Sequence, residues 1–263
     1  MMWMAFLAVL AVAGLFGLFR LLRGLDKTVR GEPQPPFPSS DYHWPDILFG
    51  GALTAFFLFS IVVADPSAEV VNRQVLLNGS FFYFSLVVAI LSFLILRGVS
   101  PVRIFGLQSS GWQGLLGFGF LVLLAAYPVI MALQMVSYSV FHAGAGAQPV
   151  VQFLVSSPGW LDRGAVILLA VVAAPVAEEV VFRGYLYGVA RRYAGRWGAL
   201  GASSLLFAAI HMHWPSMAGL FVLGLILALA YEKTRSLWVP IFMHSIFNGV
   251  SVVMTVLWPD LVP

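Results

Sequence analysis

Residues 165–190 read AVILLAVVAAPVAEEVVFRGYLYGVA, an apolar run long enough to cross a bilayer that nevertheless carries Glu178, Glu179 and Arg183. A transmembrane helix needs about 20 mostly apolar residues to span roughly 30 Å of hydrocarbon. A charge at mid-bilayer costs about 2.5–3.5 kcal/mol even on the lenient insertion scale, so charges in such a span mark a functional site by default. Glu179 and Arg183 are four residues apart, share one helical face and can pair. Glu178 points about 100° away from Glu179 and is left to face something else. Pro175 removes a backbone hydrogen bond just upstream and should kink the helix beside the acids. The plainer reading of the three charges is an ion-pair cluster that only holds helices together.

The rest of the chain has the same character. Its 263 residues are 60% apolar and 10% charged, with a mean hydropathy of +0.93; a soluble domain carries roughly 25% charge. This excludes a soluble globular domain, a disordered chain and a coiled coil. The absence of cysteine excludes disulfides, thiolate metal sites and cysteine nucleophiles. What remains is an all-α, polytopic transmembrane helix bundle. Eight candidate spans cover residues 2–19, 46–64, 80–96, 114–141, 165–190, 198–213, 216–231 and 237–258. The segments at 20–45 and 143–163 read as linkers or interfacial pieces.

Basic residues orient the bundle. The first span has no preceding positive charge and runs on past Ala11-Val12-Ala13, so it reads as an uncleaved helix with its N-terminus outside. The cytoplasmic flanks then hold Arg20, Arg23, Lys27, Arg30, Arg97, Arg103, Arg191, Arg192, Arg196, Lys233 and Arg235, against Arg73 and Arg163 on the other side. That asymmetry predicts both termini on the non-cytoplasmic side. The net charge of +3 therefore records orientation, and no nucleic-acid partner is expected.

Histidines add a second layer. His211 closes the sixth span, while His244 and Asn248 stand i, i+4 on one face of the eighth. Counted at about 1.5 Å per residue from the nearest cytoplasmic basic residue, Glu178, His211 and Asn248 lie roughly 20 Å deep and His244 roughly 13 Å. His43, His142 and His213, at loops or span ends, read as packing residues. Two glutamates, two histidines and an asparagine converging inside a bundle look like a hydrolytic site.

The ordered set Glu178-Glu179-x-x-x-Arg183, Phe207-x-x-x-His211 and His244-x-x-x-Asn248 resembles that of the CPBP family. These intramembrane proteases include the type II CAAX prenyl endopeptidase and the bacterial bacteriocin-processing and immunity (Abi) proteins. The resemblance covers residues 100–258 as a protease core, with residues 1–95 matching only as additional membrane helices. It implies a multi-pass protein of a bacterial inner (plasma) membrane that cuts a membrane-associated peptide or protein. Glu178 would be the general base and His211 would help hold the attacking water. His244 and Asn248 would bind the oxyanion, and Glu179 with Arg183 would support the site. A metal-free mechanism is favoured, because His-Glu-x-x-His is absent and asparagine is a poor zinc ligand; the zinc alternative would use Glu178, His211 and His244. A non-catalytic immunity or scaffold protein and a proton-coupled transporter are the competing classes. Oligomeric state is not read from the sequence.

Overall fold

A computed structural model describes residues 12–14, 16–17, 37–63, 72–108, 111–141, 148–157 and 159–258. Eight helices organise them: α1 (Trp44–Val63), α2 (Arg73–Leu96), α3 (Trp112–Phe141), α4 (Pro149–Ser156), α5 (Trp160–Tyr193), α6 (Gly195–Ala209), α7 (Met217–Thr234) and α8 (Trp238–Leu257). No strand occurs among the described residues. Local chemistry sets several boundaries. Asn72 caps α2 by accepting the Val75 N–H at 3.1 Å. Arg235 ends α7 in the left-handed region with φ 55°. Pro128 lies inside α3, where it removes one rung of the hydrogen-bond ladder.

Six of these helices, α1, α2, α3, α5, α7 (with the turn before it) and α8, are long and apolar enough to cross a membrane. Of the eight spans expected, the first lies outside the described residues except for 12–14 and 16–17, which are helical. The sixth, expected over 198–213, is a helix of 15 residues, only about 22 Å long. The chain leaves it at Ile210, and Met212 adopts φ 47°, which breaks the helical repeat before the proline turn Trp214–Ser216. The expected linker at 143–163 contains α4, an eight-residue helix started by Pro149 at its first position.

Contacts between helix ends give the direction of each helix. At one end Asp46 pairs with Arg97, and Asp41 with Arg103 at 3.0 Å. There too Glu232 receives Arg191 at 3.1 Å and Arg196 at 2.6 Å, and Tyr231 donates to the Ile104 carbonyl. At the other end Arg73 meets Asp162 at 2.9 Å, and Gln134 donates to Ser216 at 3.0 Å. Helices α1, α2, α3, α5, α6, α7 and α8 therefore run alternately up and down. Arg97, Arg103, Arg191, Arg192, Arg196, Lys233 and Arg235 gather at the first end and Arg73 and Arg163 at the second; Arg20, Arg23, Lys27, Arg30 and His142 lie outside the described residues. Exposed Trp44, Trp197 and Trp238 ring the first end, and Trp160, Trp214 and Trp258 the second. Two such rings are the aromatic belts of a membrane protein. The core between them lies where α3, α5, α6, α7 and α8 meet.

α6 and α7 approach closely because Gly224 has no side chain. A Cβ there would stand 3.0 Å from Ser204 Cβ and 3.1 Å from Ser204 Cα. This contact brings the Gly224 carbonyl within 3.2 Å of the Arg183 guanidinium, inside the bundle.

Candidate active site

The site starts from an irregularity in α5. Around Leu169–Ala173 the ladder slips into π-helical register, with the Ala174 N–H bonding Leu169 O, five residues back. That leaves the Ala170 carbonyl without either helical partner, since Ala174 is committed and Pro175 has no N–H. Asn248 of α8 supplies the missing donor to this half-buried carbonyl at 2.8 Å. A second π-helical stretch, Val180–Leu186, follows directly on Glu178 and Glu179. The expected proline kink is thus a slipped register, a feature common at functional sites.

Glu179 and Arg183 are both fully buried, and their pair spans 2.6 Å. Arg183 also donates to Gly224 O, and its guanidinium carbon lies 4.3 Å from the centre of the Phe207 ring. A buried charge needs such partners, because desolvation otherwise exceeds the attraction. The same Glu179 oxygen accepts Nδ1–H of His244 at 2.9 Å. An imidazole carries its nitrogens on different edges, so His244 Nε2 reaches the other acid and stands 3.9 Å from Glu178 Oε2.

His211 comes to the same oxygen from α6. It lies in the turn after the helix, where its Nδ1 bonds the Phe207 carbonyl at 2.8 Å and satisfies one of the helix's last acceptors. A carbonyl only accepts, so Nδ1 carries the hydrogen and Nε2 of the neutral ring offers a lone pair. That Nε2 also lies 3.9 Å from Glu178 Oε2. Oε2 itself is buried and has no hydrogen-bond partner among the described residues. The other oxygen, Oε1, accepts the hydroxyl of Tyr83 at 2.8 Å.

Glu178, Glu179, Arg183, His211 and His244 thus converge, whereas Asn248 is engaged at Ala170 on the neighbouring turns. His213 Nδ1 bonds the Ser216 hydroxyl at 2.7 Å, across the Trp214–Ser216 turn. Tyr83 was absent from the residues singled out by sequence. The available signal was a single hydroxyl in the run Phe81-Phe82-Tyr83-Phe84. A groove of about 460 Å³ between α3 and α8, lined by Leu115, Trp238, Ile241 and Ser245 among others, contains none of these groups.

The spacing also bears on metal. Among the described residues no three His, Cys, Asp or Glu side chains are placed to hold an ion. Zinc with bonds of about 2.0–2.1 Å draws tetrahedral ligands to about 3.3 Å from one another, and both Glu178–histidine separations are wider, at 3.9 Å. The set Glu178, His211 and His244 does not fit zinc as it stands.

Apolar helices belted by tryptophan around a buried acid–imidazole centre define a multi-pass membrane protein with its polar chemistry inside the bundle. Residues 160–250 match the model of the Rce1-like family, described as type II CAAX prenyl endopeptidase Rce1-like, which bears out the resemblance read from the motifs. Among individual proteins, the chain is 25% identical over 211 residues to YdiL of Bacillus subtilis (strain 168), named as a membrane peptidase, covering 77% of this chain and 81% of that one. It is 34% identical over 95 residues to the membrane-embedded CAAX protease MroQ of Staphylococcus aureus (strain USA300), covering 34% of this chain and 38% of MroQ. A 24.3 kDa protein of Escherichia coli is 29% identical over 189 residues, with 66% and 82% covered. No solved structure matches. The names of the family and of these relatives indicate a membrane protease.

Proposed function

We propose that this protein is an intramembrane endopeptidase of a bacterial inner membrane that hydrolyses a peptide bond in a membrane-associated peptide or protein. Glu178 Oε2 carries the reading: a buried carboxylate oxygen with no partner among the described residues, 3.9 Å from the Nε2 atoms of His211 and His244. A single water making bonds of about 2.8 Å bridges such a gap. It donates one hydrogen to Oε2 and the other to His211 Nε2.

Glu178 takes the first proton as the water oxygen attacks the scissile carbonyl carbon. The C–O bond forms and the carbonyl π pair moves onto its oxygen. His244, held through Nδ1 by Glu179, acts on that oxyanion as the imidazolium, keeping throughout the cycle an Nε2 proton taken from solvent beforehand. Asn248, one turn on, serves it with the amide hydrogen not used on Ala170. Donors of this kind contribute roughly 3–4 kcal/mol each in a water-excluded site. Collapse breaks the C–N bond, and Glu178 returns the proton to the leaving amine. Glu179 and Arg183 orient these groups, and no metal is assigned a step. The more basic end of the bundle is assigned to the cytoplasm.

The names of the family and of MroQ support a CAAX-type tail, prenylated or not, as the substrate class; a leader peptide presented at the membrane is the alternative. Membranes from cells carrying the wild type and Glu178→Gln should differ in uncut substrate proteins, which accumulate in the variant. Identical membrane proteomes would overturn the reading in favour of a non-catalytic scaffold.

A further inference from the structure

α2 is mostly a lipid-facing helix, and the matched family region begins far beyond it, at residue 160. One of its side chains nevertheless touches the centre of the site. Leu76, Leu86, Ile90 and Leu94 are the buried residues of α2 and form a stripe along it. Tyr83, seven residues after Leu76, falls on that stripe. Its neighbours Phe81 and Phe84 are exposed at 72% and 67%. The inward position of a phenylalanine-rich run is therefore the one that bears a hydroxyl. That hydroxyl donates to Glu178 Oε1 at 2.8 Å.

A carboxylate has two oxygens, and this contact divides their work. With Oε1 held by Tyr83, the group cannot rotate freely about its last bond, and Oε2 is presented to the two Nε2 atoms at 3.9 Å each. A phenylalanine at position 83 would fill nearly the same volume and leave Oε1 buried without a donor. The carboxylate could then turn either oxygen toward the imidazoles or away from them.

We infer that Tyr83 is a positioning residue of the active site, holding the Glu178 carboxylate so that one oxygen faces the water and the two histidines. The inference rests on Glu178 being the general base, and it makes α2 part of the catalytic unit rather than an added membrane helix. Tyr83 touches neither water nor substrate in this scheme. It acts through the acid, so its loss should slow the chemical step and leave substrate binding alone.

The test uses full-length protein in proteoliposomes and quenched-fluorescent peptides ending in CAAX, with and without a prenyl group, alongside leader-type peptides. Tyr83→Phe should lower kcat about ten- to hundredfold, the range for a lost hydrogen bond to a charged group, with KM unchanged. Incorporating 4-aminophenylalanine at position 83 restores an N–H donor and should recover most of the rate. Phe84→Leu, on the lipid face, should behave as wild type. Glu178→Gln, run in parallel, separates the two claims. If it is inactive while Tyr83→Phe retains wild-type kcat, the positioning role is overturned and the base assignment survives. If Glu178→Gln cleaves normally, the base assignment falls and the positioning role falls with it. A rise in KM alone, or a rate loss not rescued by the amino analogue, would mean that Tyr83 only packs α2 against α5.

Discussion

Substituting Glu178 by glutamine should make the protein inactive and more stable at the same time, and both signs come from the same atom. Oε2 is buried and has no partner among the described residues, while the Oε1 bond from Tyr83 is one that a glutamine carbonyl also accepts. Even with one water on Oε2, a carboxylate buried in the bundle keeps a desolvation cost that a neutral amide does not. Glutamine is isosteric and removes the charge, and its amide can donate to the water bridging toward His211. The expected gain is about 1–3 kcal/mol, or roughly 2–12 °C in unfolding temperature at ~2–4 °C per kcal/mol for a chain of this size. The same change removes the proposed general base and should lower kcat by about 10²–10⁴-fold. Thermal unfolding in detergent and peptide cleavage in proteoliposomes, on one preparation, check the two signs together. A variant that is less stable than wild type refutes the account of Glu178 as a costly buried charge. One that is as active as wild type refutes its use in catalysis.

Arg183→Met should have the opposite effect on stability. It strands the buried Glu179 carboxylate and should cost about 3–5 kcal/mol, whereas the double variant Glu179→Gln/Arg183→Met recovers most of that loss; equal stability of single and double variants in denaturant titrations would contradict the pairing. Asn248→Ala leaves the Ala170 carbonyl unsatisfied and should cost about 1–3 kcal/mol, with hydrogen exchange rising first around Pro175. Absence of both effects would show that the π-helical turn does not depend on α8. Chelator treatment should leave cleavage unchanged in protein containing far less than stoichiometric zinc; activity lost on chelation and restored by zinc would overturn the metal-free assignment.

The scarcity of charge made much of this legible in advance. Arg183 and the two glutamates stand out because a bilayer tolerates few such groups, and the Glu179–Arg183 pair follows from helical spacing alone. The alternation of helix directions was legible in the basic residues, since Arg73 and Arg163 fall at the end opposite Arg97, Arg103, Arg191 and Arg196. Depth counting fared less well. It set His244 above the layer of Glu178 and Asn248, yet His244 is the residue that joins both acids, and Asn248 bonds Ala170. The count assumes straight helices rising about 1.5 Å per residue, and two π-helical stretches in α5 depart from it.

By itself, then, the sequence determined that the chain is a helical membrane protein, that Glu179 shares a helical face with Arg183 and His244 one with Asn248, and that these polar groups lie in apolar spans, because composition and periodicity act within one helix. Only the tertiary structure decided which polar groups meet. Tyr83 reaches Glu178 from a helix far away in sequence, and one imidazole spans two carboxylates. Such meetings depend on how slipped turns and glycine contacts such as Gly224–Ser204 set the distance and rotation between helices, and no single helix encodes its neighbour's position.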